Sequence, residues 1–449
     1  MIRFQLSEIA VRLGCPVPDN DVAVDSIATD SRRVHHATLF AALPGNNVDG
    51  HDFASSAVDL GASALLLNRP LDLDVPQLIV NDVLLALGEI AALLRARLDP
   101  AVIGITGSNG KTTVKEMVAS ILCLDSAVLA TQGNYNNELG VPLSLFGLNR
   151  EHRYAVLEMG ASKSGDISYL CQIANPDIGL ITNIGPAHLK GFGTEKGVAL
   201  AKGEIYATLP TDGCAVINAD EPWSDMWTEM NSADSVLTFG SNPECDVQLL
   251  DRETQPRIRI PGGEFDLHLL LPGKHNQMNA AAAAAVAVAL DIDAAAIARG
   301  LQAVRPVPGR LNLIKTDAGW TVIDDTYNAN PASLYSALQV LAQMQGTPWL
   351  VLGDMKELGE DSRKMHREVG EAARAMGVGR LFTTGELSSF TSEAFGEGAE
   401  HFEDRDELAE TLCSQLKPGT ICLVKGSRSM GMEAIVQAIT DASCMREAS

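Results

Sequence analysis

The segment Thr106–Thr113, which reads TGSNGKTT, carries the clearest chemical signal in the sequence. It follows an apolar, strand-like run and precedes a helix-like one, so backbone N–H groups and a helix N-terminus can converge on phosphate oxygens. We expect Lys111 to reach the β- and γ-phosphates of a nucleotide and Thr112 to present its hydroxyl to Mg²⁺. The strict P-loop spacing GxxxxGK[ST] is not met, because its first glycine would fall at Ile105. The segment predicts a nucleoside triphosphate site, which a kinase, a transport ATPase and a ligase would share.

Three residues downstream could add metal and carboxylate chemistry to this site. Glu158 ends the strand-like run YAVLE, and His188 follows the run IGLITNIG. In an open parallel sheet such strand ends face the ligand crevice, where a carboxylate and an imidazole beside a nucleotide can bind Mg²⁺. By residue type alone, Lys202 is an ordinary surface lysine. Only its carbamate, formed with CO₂, would present carboxylate-like oxygens to a metal ion.

The elements that must position these residues are those of an α/β protein in three units. A chain of 449 residues exceeds what one hydrophobic core usually supports. Residues 1–83 predict a small α/β domain. Residues 84–310 contain the strand, glycine loop and helix that begin a parallel sheet, together with an alanine-rich run predicted to be a close-packed core helix. The alternation of strand and helix restarts in residues 311–449, which predict a Rossmann-like domain hinged near Arg310.

Composition limits the kinds of partner that the chain can bind. It has 34 Lys and Arg against 57 Asp and Glu, for a net charge of −23, which disfavours non-specific binding to nucleic acid or anionic lipid. The N-terminal segment lacks the apolar core of a signal peptide, and the longest apolar run, Ala280–Leu290, is shorter than the roughly 20 residues of a membrane span. None of the cysteines lies in a CxxC pair, so no zinc site is predicted. We expect a cytoplasmic protein, most simply a monomer, with no nucleic-acid partner and no membrane span.

Several segments taken together resemble the Mur ligases, the ATP-dependent ligases of bacterial peptidoglycan precursor synthesis. These segments are TGSNGKTT, NYNNELGVP, LEMG, GPAHLKGFG, AKGEIY, the NAD of Asn218–Asp220, the GKHNQMNA of Gly273–Ala280 and the PGRL of Pro308–Leu311. The resemblance spans all three units. It implies a UDP-muramoyl-substrate-binding domain in residues 1–83, a central P-loop-type ATP-binding domain in 84–310 and a C-terminal Rossmann-like domain in 311–449. It also implies that the protein activates a carboxylate as an acyl phosphate.

The resemblance assigns roles to individual residues. It implies that Lys111, Glu158, His188, Lys202 and Arg310 are catalytic. Mg²⁺, as two ions, would be bound by Thr112, Glu158 and His188, and Lys202 corresponds to a lysine that can be carbamylated. Arg310 corresponds to a hinge arginine that reaches phosphate when the C-terminal domain closes. The implied ATP contacts are Gly107, Ser108, Asn109, Gly110, Lys111, Thr112, Thr113, His275, Asn276, Asn279, Arg310 and Asp325.

The two ends of the chain narrow the substrates that the resemblance implies. TDSRRV and DGHDF resemble a UDP-sugar-binding domain, whereas IDDTYNANPAS resembles the members that add D-alanyl-D-alanine to UDP-N-acetylmuramoyl-tripeptide. Three alternatives stay open: the ligase that adds the third residue of the peptide, a folylpolyglutamate synthase, and a nucleotide-binding scaffold without turnover. The implied substrate contacts are Ser31, Arg32, Asp49, Gly50, His51, Asn134, Asn137, Tyr327, Asn328 and Asn330.

Overall fold

The computed structural model describes residues 1–45, 48–185, 189–250 and 255–441. Each of the three predicted units contains one main β-sheet, and helices cover these sheets. Within the described residues, no helix is both long enough and apolar enough to cross a membrane.

The N-terminal unit is built on a four-stranded parallel sheet. In spatial order its strands are Ser26–Ala28, Thr38–Ala41, Ala62–Leu67 and Gln77–Ile79. Beside it lie the antiparallel pair Phe4–Gln5 and Ala23–Val24, the helices Leu6–Leu13 and Ala54–Asp59, and the 3₁₀ turns Ser31–Arg33 and Gly50–Phe53. Buried Phe4 and Leu39 share one hydrophobic core with Val102 and Leu157 of the central unit. The N-terminal unit therefore packs directly against the central one.

The central unit contains a nine-stranded sheet. In spatial order its strands are Ala127–Ala130, His152–Glu158, Ala101–Thr106, Ile178–Ile181, Cys214–Asn218, Ser235–Gly240, Val247–Leu250, Arg257–Ile260 and Gly263–Asp266. The first seven pair in parallel, as the sequence predicts, but the last two pair antiparallel. The turn between those two strands is only Pro261 and Gly262, which is too short for the crossover that parallel strands need.

Helices cover both faces of the central sheet. They are Val83–Leu98, Lys111–Leu122, Gly140–Leu145, Asp166–Ala174, Leu189–Phe192, Glu195–Ala207, Ser224–Met230, Lys274–Ala289 and Ala294–Ala303. The prediction of an alanine-rich core helix is confirmed, because residues 280–287 of Lys274–Ala289 are buried. Its small side chains let this helix pack against Lys111–Leu122, the helix that follows the phosphate loop.

The C-terminal unit contains a six-stranded sheet with helices on both faces. In spatial order its strands are Asn312–Lys315, Thr321–Asp325, Thr420–Lys425, Thr347–Gly353, Arg380–Thr384 and Ala399–Phe402, of which only the first pairs antiparallel. Its helices are Pro331–Gln343, Ser362–Ala375, Ser388–Phe395, Arg405–Gln415 and Glu433–Thr440. The carboxyl ends of its parallel strands form a second ligand-facing edge of the kind expected for a Rossmann-like sheet.

Candidate active site

The phosphate loop, residues 107–110, leads from the end of strand Ala101–Thr106 into helix Lys111–Leu122. The end of the neighbouring parallel strand holds this loop in place. The Ser108 N–H donates to the Asn183 carbonyl at 2.9 Å, and the Thr182 hydroxyl donates to the Asn109 carbonyl at 2.6 Å. The conformation of the loop is therefore fixed by backbone and side-chain contacts with the adjacent strand end.

Two glycines of the phosphate loop lie where no other residue fits. A Cβ atom on Gly107 would lie 1.9 Å from Oγ1 of Thr182, and one on Gly110 would lie 2.5 Å from Oδ1 of Asn279. Gly110 also has a φ of 82°, in the region that favours glycine. These close approaches explain why glycine stands at 107 and 110 although the strict P-loop spacing is not met.

Glu158 is held beside the loop by a buried chain of hydrogen bonds. The Thr112 hydroxyl donates to Oε2 of Glu158 at 2.8 Å, and Nδ2 of Asn136 donates to Oε1 at 2.8 Å. The sequence analysis did not single out Asn136, although it lies in the motif NYNNELGVP. Both carboxylate oxygens are thus oriented, and Glu158 is 2% exposed.

The oxygens of Thr112 and Glu158 fit a magnesium ion. Mg²⁺ prefers oxygen ligands and is often bound by only one or two carboxylates together with substrate phosphates. Groups of three or more His, Cys, Asp or Glu placed to hold a metal do not occur in the part of the chain that the structure describes. The third predicted ligand, His188, lies outside the described residues.

Two lysines lie close to Glu158, of which Lys202 is buried and Lys111 is half-buried. Lys202 is 3% exposed, so the expectation from residue type alone, a surface lysine, is wrong. Burial, and next the positive charge of Lys111, lower the pKa of Lys202 well below its ordinary value, although Glu158 opposes this shift. Burial also lowers the pKa of Lys111, whose Nζ donates to the Gly107 carbonyl at 2.8 Å. The environment therefore favours a neutral amine on Lys202.

Arg310, at the hinge, and Asn330, in the C-terminal unit, contact the phosphate loop and the first turn of the helix that follows it. Nη2 of Arg310 donates to the Thr112 hydroxyl oxygen at 3.2 Å, and Nδ2 of Asn330 donates to Oδ1 of Asn109 at 2.9 Å. The guanidinium carbon of Arg310 lies 3.7 Å from the centroid of the Tyr327 ring. Nε of Arg310 is buried without a hydrogen-bond partner among the described atoms, and such a donor beside the loop is suited to an anionic ligand.

Asp325 forms a buried ion pair with Lys425, a residue that the sequence analysis missed. Nζ of Lys425 lies 2.5 Å from Oδ2 of Asp325 and donates to the Asn328 carbonyl at 2.9 Å. Burial raises the pKa of Asp325, although Lys425 opposes this shift. The two residues are directly paired because strand Thr420–Lys425 runs parallel to strand Thr321–Asp325. The available signal was the segment VKGSRSM, whose lysine ends an apolar, strand-like run.

The predicted adenine-nucleotide contacts lie in the first turns of helix Lys274–Ala289. Nδ2 of Asn279 donates to Oδ1 of Asn276 at 3.1 Å, and Nδ2 of Asn276 donates to the Pro272 carbonyl at 2.7 Å. Burial, and next the charge of Lys425, lower the pKa of His275 to about 4. His275 is therefore neutral at pH 7, and it lies close enough to the C-terminal unit to sense its lysine.

One cavity of about 1410 Å³ connects most of these residues. It extends from Leu84 and Leu85, at the start of helix Val83–Leu98, to the C-terminal unit. Thr112 does not line it, but the Thr112 hydroxyl contacts Glu158, which does. The predicted residues that line the cavity are Gly107, Ser108, Asn109, Gly110, Lys111, Thr113, Asn134, Asn137, Glu158, Lys202, His275, Asn276, Asn279, Arg310, Asp325, Tyr327, Asn328 and Asn330.

The predicted substrate contacts of the N-terminal unit do not line this cavity; they are Ser31, Arg32, Asp49, Gly50 and His51. Ser31 and Arg32 lie in a 3₁₀ turn, and the exposed Arg32 guanidinium pairs with Asp30 at 2.7 Å. That pair holds the pKa of the Asp30 carboxyl at about 2. The Arg32 guanidinium remains accessible to a further anion.

The other three of these residues have local structural contacts. Oδ1 of Asp49 lies 2.7 Å from Nδ1 of buried His51, and Oδ2 lies 2.7 Å from Nη2 of Arg69. A Cβ atom on Gly50 would lie 2.7 Å from the backbone N and O of Leu43. Local folding thus accounts for these residue types, and their contact with substrate stays a prediction.

Comparisons with known proteins agree across the whole chain. Residues 23–95 match the Mur ligase family catalytic domain, residues 105–287 the Mur ligase middle domain and residues 309–428 the Mur ligase glutamate ligase domain. A protein of Escherichia coli strain K12 named UDP-N-acetylmuramoyl-tripeptide–D-alanyl-D-alanine ligase is 42% identical, over 98% of this chain and 99% of its own.

Solved structures show the same fold. A crystal structure of MurF from Acinetobacter baumannii has a TM-score of 0.91 at 33% identity, covering 98% of this chain and 99% of its own. MurF ligase from Thermotoga maritima in complex with ADP has a TM-score of 0.83 at 28% identity, covering 94% and 98%. The α/β fold in three domains that the sequence predicts is therefore confirmed, and the chain belongs to the Mur ligase family.

Proposed function

We propose that this chain is the ATP-dependent ligase that joins D-alanyl-D-alanine to UDP-N-acetylmuramoyl-tripeptide, giving UDP-N-acetylmuramoyl-pentapeptide. A relative named for this ligase matches almost the entire chain. The observation that carries the proposal is the contact of Arg310 and Asn330 with the phosphate loop. A ligase of this kind must bring a carboxylate activated at one domain to an amine held at another, and that contact joins the two.

The alternatives are less well supported. The names of the full-length relatives favour the dipeptide-adding ligase over the ligase that adds the third residue. A scaffold without turnover has no use for buried Lys202 and Glu158 beside half-buried Lys111, because burying charged groups costs free energy that a binding surface avoids.

Each domain has a proposed part in the reaction. Residues 1–83 bind the UDP-muramoyl substrate, residues 84–310 bind ATP, and residues 311–449 bind D-alanyl-D-alanine. The protein acts as a monomer in the cytoplasm, where it serves peptidoglycan precursor synthesis and therefore cell-wall growth and division.

The first step converts the tripeptide carboxylate into an acyl phosphate. A carboxylate resists attack by an amine because it is anionic and has no good leaving group. One carboxylate oxygen attacks the γ-phosphorus of ATP, and the bond from that phosphorus to the β-bridging oxygen breaks as ADP leaves. Such a transfer depends on positioning and charge neutralisation. Lys111, Arg310 and the N–H groups of the phosphate loop supply both.

The second step forms the amide bond. The free amine of D-alanyl-D-alanine attacks the acyl carbon, and the bond from this carbon to the phosphate oxygen breaks as inorganic phosphate leaves. The proton that the amine loses passes to solvent or to the departing phosphate. Contacts of Arg310 and Asn330 with the loop close the site, which keeps out the water that would hydrolyse the acyl phosphate.

Mg²⁺ and a carbamate complete the proposed site. Thr112 and Glu158 would bind Mg²⁺, with His188 as a ligand of a second ion, and the metal would neutralise charge on the β- and γ-phosphates. Because a neutral amine reacts with CO₂, the lowered pKa of Lys202 supports carbamylation there. A carbamate on Lys202 would place a negative charge near Lys111.

A product assay tests the proposal. The protein is incubated with ATP, Mg²⁺, D-alanyl-D-alanine and UDP-N-acetylmuramoyl-tripeptide, whose third residue is either diaminopimelate or lysine, and phosphate release and product mass are measured. We expect one phosphate for each pentapeptide formed with at least one of the tripeptides, and no product with Lys111→Met. Product formation only from the UDP-muramoyl-dipeptide and a third amino acid would show that the proposed substrates are wrong.

A further inference from the structure

We propose that Arg428 binds the carboxylate of the incoming dipeptide and so sets where its amine lies. This inference rests on the proposed function and adds a specificity-determining residue to it. D-Alanyl-D-alanine carries a carboxylate that takes no part in the reaction, and in a protein of net charge −23 a local cation favours binding of that anion.

Few cations are available for this carboxylate. The Lys and Arg residues that line the described part of the cavity are Lys111, Lys163, Lys202, Arg310, Lys425 and Arg428. The first three belong to the central unit, where Lys111 and Lys202 lie near Glu158. In the proposed function the C-terminal unit binds the dipeptide, so the choice is among Arg310 at the hinge and Lys425 and Arg428 of the C-terminal unit.

Two of these three cations already have buried partners. Arg310 donates to Thr112 and stacks on Tyr327. Lys425 has a side chain only 3% exposed, is neutralised by Asp325, and donates to a backbone carbonyl. Lys425 cannot turn to a new carboxylate without leaving buried Asp325 unpaired. Arg310 has an Nε without a partner among the described atoms, and this group lies beside the phosphate loop, where it suits phosphate.

Arg428 is the cation that can accept a new partner. Its side chain is 64% exposed, and among the described residues its guanidinium has one ion pair, at 3.1 Å with Glu433, which is itself 50% exposed. An ion pair between two exposed side chains contributes little, so a dipeptide carboxylate can compete with Glu433. The planar guanidinium also offers the two parallel N–H groups that match a carboxylate.

The backbone that carries Arg428 is held in place. Strand Thr420–Lys425 is followed by a short segment, Gly426 and Ser427, and Arg428 begins the 3₁₀ turn after it. In that segment the Ser427 N–H donates to the Asp354 carbonyl at 3.0 Å, and the Lys356 N–H donates to the Ser427 hydroxyl oxygen at 2.7 Å. The anchor point of the Arg428 side chain is therefore defined by neighbouring strand ends.

The position of Arg428 suits the length of a dipeptide. Its guanidinium carbon lies 5.9 Å from the centroid of the Tyr327 ring, and that of Arg310 lies 3.7 Å from the same centroid. An extended dipeptide spans at most roughly 7 Å. A dipeptide whose carboxylate is bound by Arg428 can thus extend across the Tyr327 ring. Its amine would then lie towards Arg310 and the phosphate loop, where the acyl phosphate forms.

The test compares two acceptors and two arginines. Steady-state kinetics with D-alanyl-D-alanine and with its uncharged C-terminal amide are measured for the wild type, Arg428→Gln and Arg367→Gln. Arg367 is a matched control, because it is an exposed arginine of the same unit with one exposed acidic partner, Glu393. The wild type and Arg367→Gln should prefer the acid over the amide by roughly 10- to 100-fold in kcat/KM, the effect of one charged hydrogen-bonded contact.

Arg428→Gln should lose this preference, through a raised KM for the dipeptide, while its KM values for ATP and the UDP substrate stay those of the wild type. Glu433→Gln should not raise the KM for the dipeptide, since it removes only a competitor. If Arg428→Gln keeps the preference for the acid, or loses activity with acid and amide equally, the role of Arg428 is refuted and the proposed function stands. If the wild type forms no product with the dipeptide, both are refuted.

Discussion

Replacing Arg310 by alanine should slow turnover strongly and leave the fold intact. The Arg310 guanidinium donates to Thr112 at 3.2 Å and lies 3.7 Å from the Tyr327 ring centroid, and its Nε is buried with no partner among the described residues. Through these contacts the hinge residue Arg310 connects Tyr327 of the C-terminal unit to the helix that follows the phosphate loop. None of them supports a hydrophobic core, so the variant should lose closure of the site while each domain stays folded.

The size of the effect follows from these contacts. A hydrogen bond from a charged donor contributes about 1.5–3 kcal/mol, and a cation–π contact contributes about 0.5–2 kcal/mol. Losing both weakens closure by about 2–5 kcal/mol. This loss corresponds to a closed state that is roughly 30-fold to a few thousand-fold less populated. If amide formation requires the closed state, kcat falls by a similar factor.

The assay measures kcat for pentapeptide formation and the unfolding temperature of Arg310→Ala, Arg310→Lys and Arg305→Ala. Arg305 is a matched control because it is an exposed arginine in the same linker. Arg310→Lys should be intermediate, since it keeps the charge but loses the planar group that stacks on Tyr327. If kcat of Arg310→Ala equals that of Arg305→Ala and the wild type, the role of Arg310 in closure is refuted.

Three further predictions concern the lysine cluster, the loop and pH. In CO₂-depleted buffer Lys202→Met should lose turnover but unfold at a higher temperature at pH 7, measured by calorimetry. Burial lowers the pKa of Lys202, so the folded state binds its proton more weakly than the unfolded state does, and this difference destabilises the wild type. Gly110→Ala should weaken ATP binding and cost about 1–3 kcal/mol of stability, because its Cβ would lie 2.5 Å from Asn279. Gly262→Ala is the control, since Gly262 has a similar φ and no neighbour within 4 Å. The control should lose less stability in urea unfolding and bind ATP as the wild type does. Burial lowers the pKa of His275 from 6.5 to about 4, so the wild type should lose roughly 2 kcal/mol of stability between pH 7 and pH 5, where only the unfolded state binds a proton at this residue. His275→Gln should not show this loss. Equal losses for the two proteins in urea unfolding would contradict the prediction.

Local rules were enough to predict the phosphate loop. A strand, a glycine-rich turn and a helix occur in direct succession, so the sequence placed Lys111 and Thr112 at a helix N-terminus without any long-range information. Glu158 was predicted for a similar reason, because the carboxyl ends of parallel strands meet at one edge of a sheet.

Residue type and spacing could not predict contacts between distant segments. Lys202 is buried because its helix packs against the central sheet, whereas lysine as a residue type predicts exposure; only the family resemblance placed it in the site. Lys425 was missed because its partner Asp325 is 100 residues away and is reached through strand register. The antiparallel edge of the central sheet depends on a two-residue hairpin turn, Pro261 and Gly262, and the alternation of strands and helices does not predict it. The domain boundaries and the substrate contacts of the N-terminal unit stay predictions.

The hydroxyl of Thr112 links closure to the chemistry of the loop. Its one hydrogen is donated to Glu158, so its oxygen can only accept from Arg310. A ligand that binds to this oxygen would therefore displace the Arg310 guanidinium. Because the Nε of Arg310 already lacks a partner among the described atoms, the released guanidinium can turn to nearby phosphate oxygens. Asn330 makes a separate contact with Asn109, 221 residues away along the chain, so the C-terminal unit can stay on the loop while Arg310 turns. We therefore expect Arg310 to exchange Thr112 for phosphate oxygens while Asn330 keeps its contact, so that the site would stay closed during phosphoryl transfer and exclude water until the amine attacks.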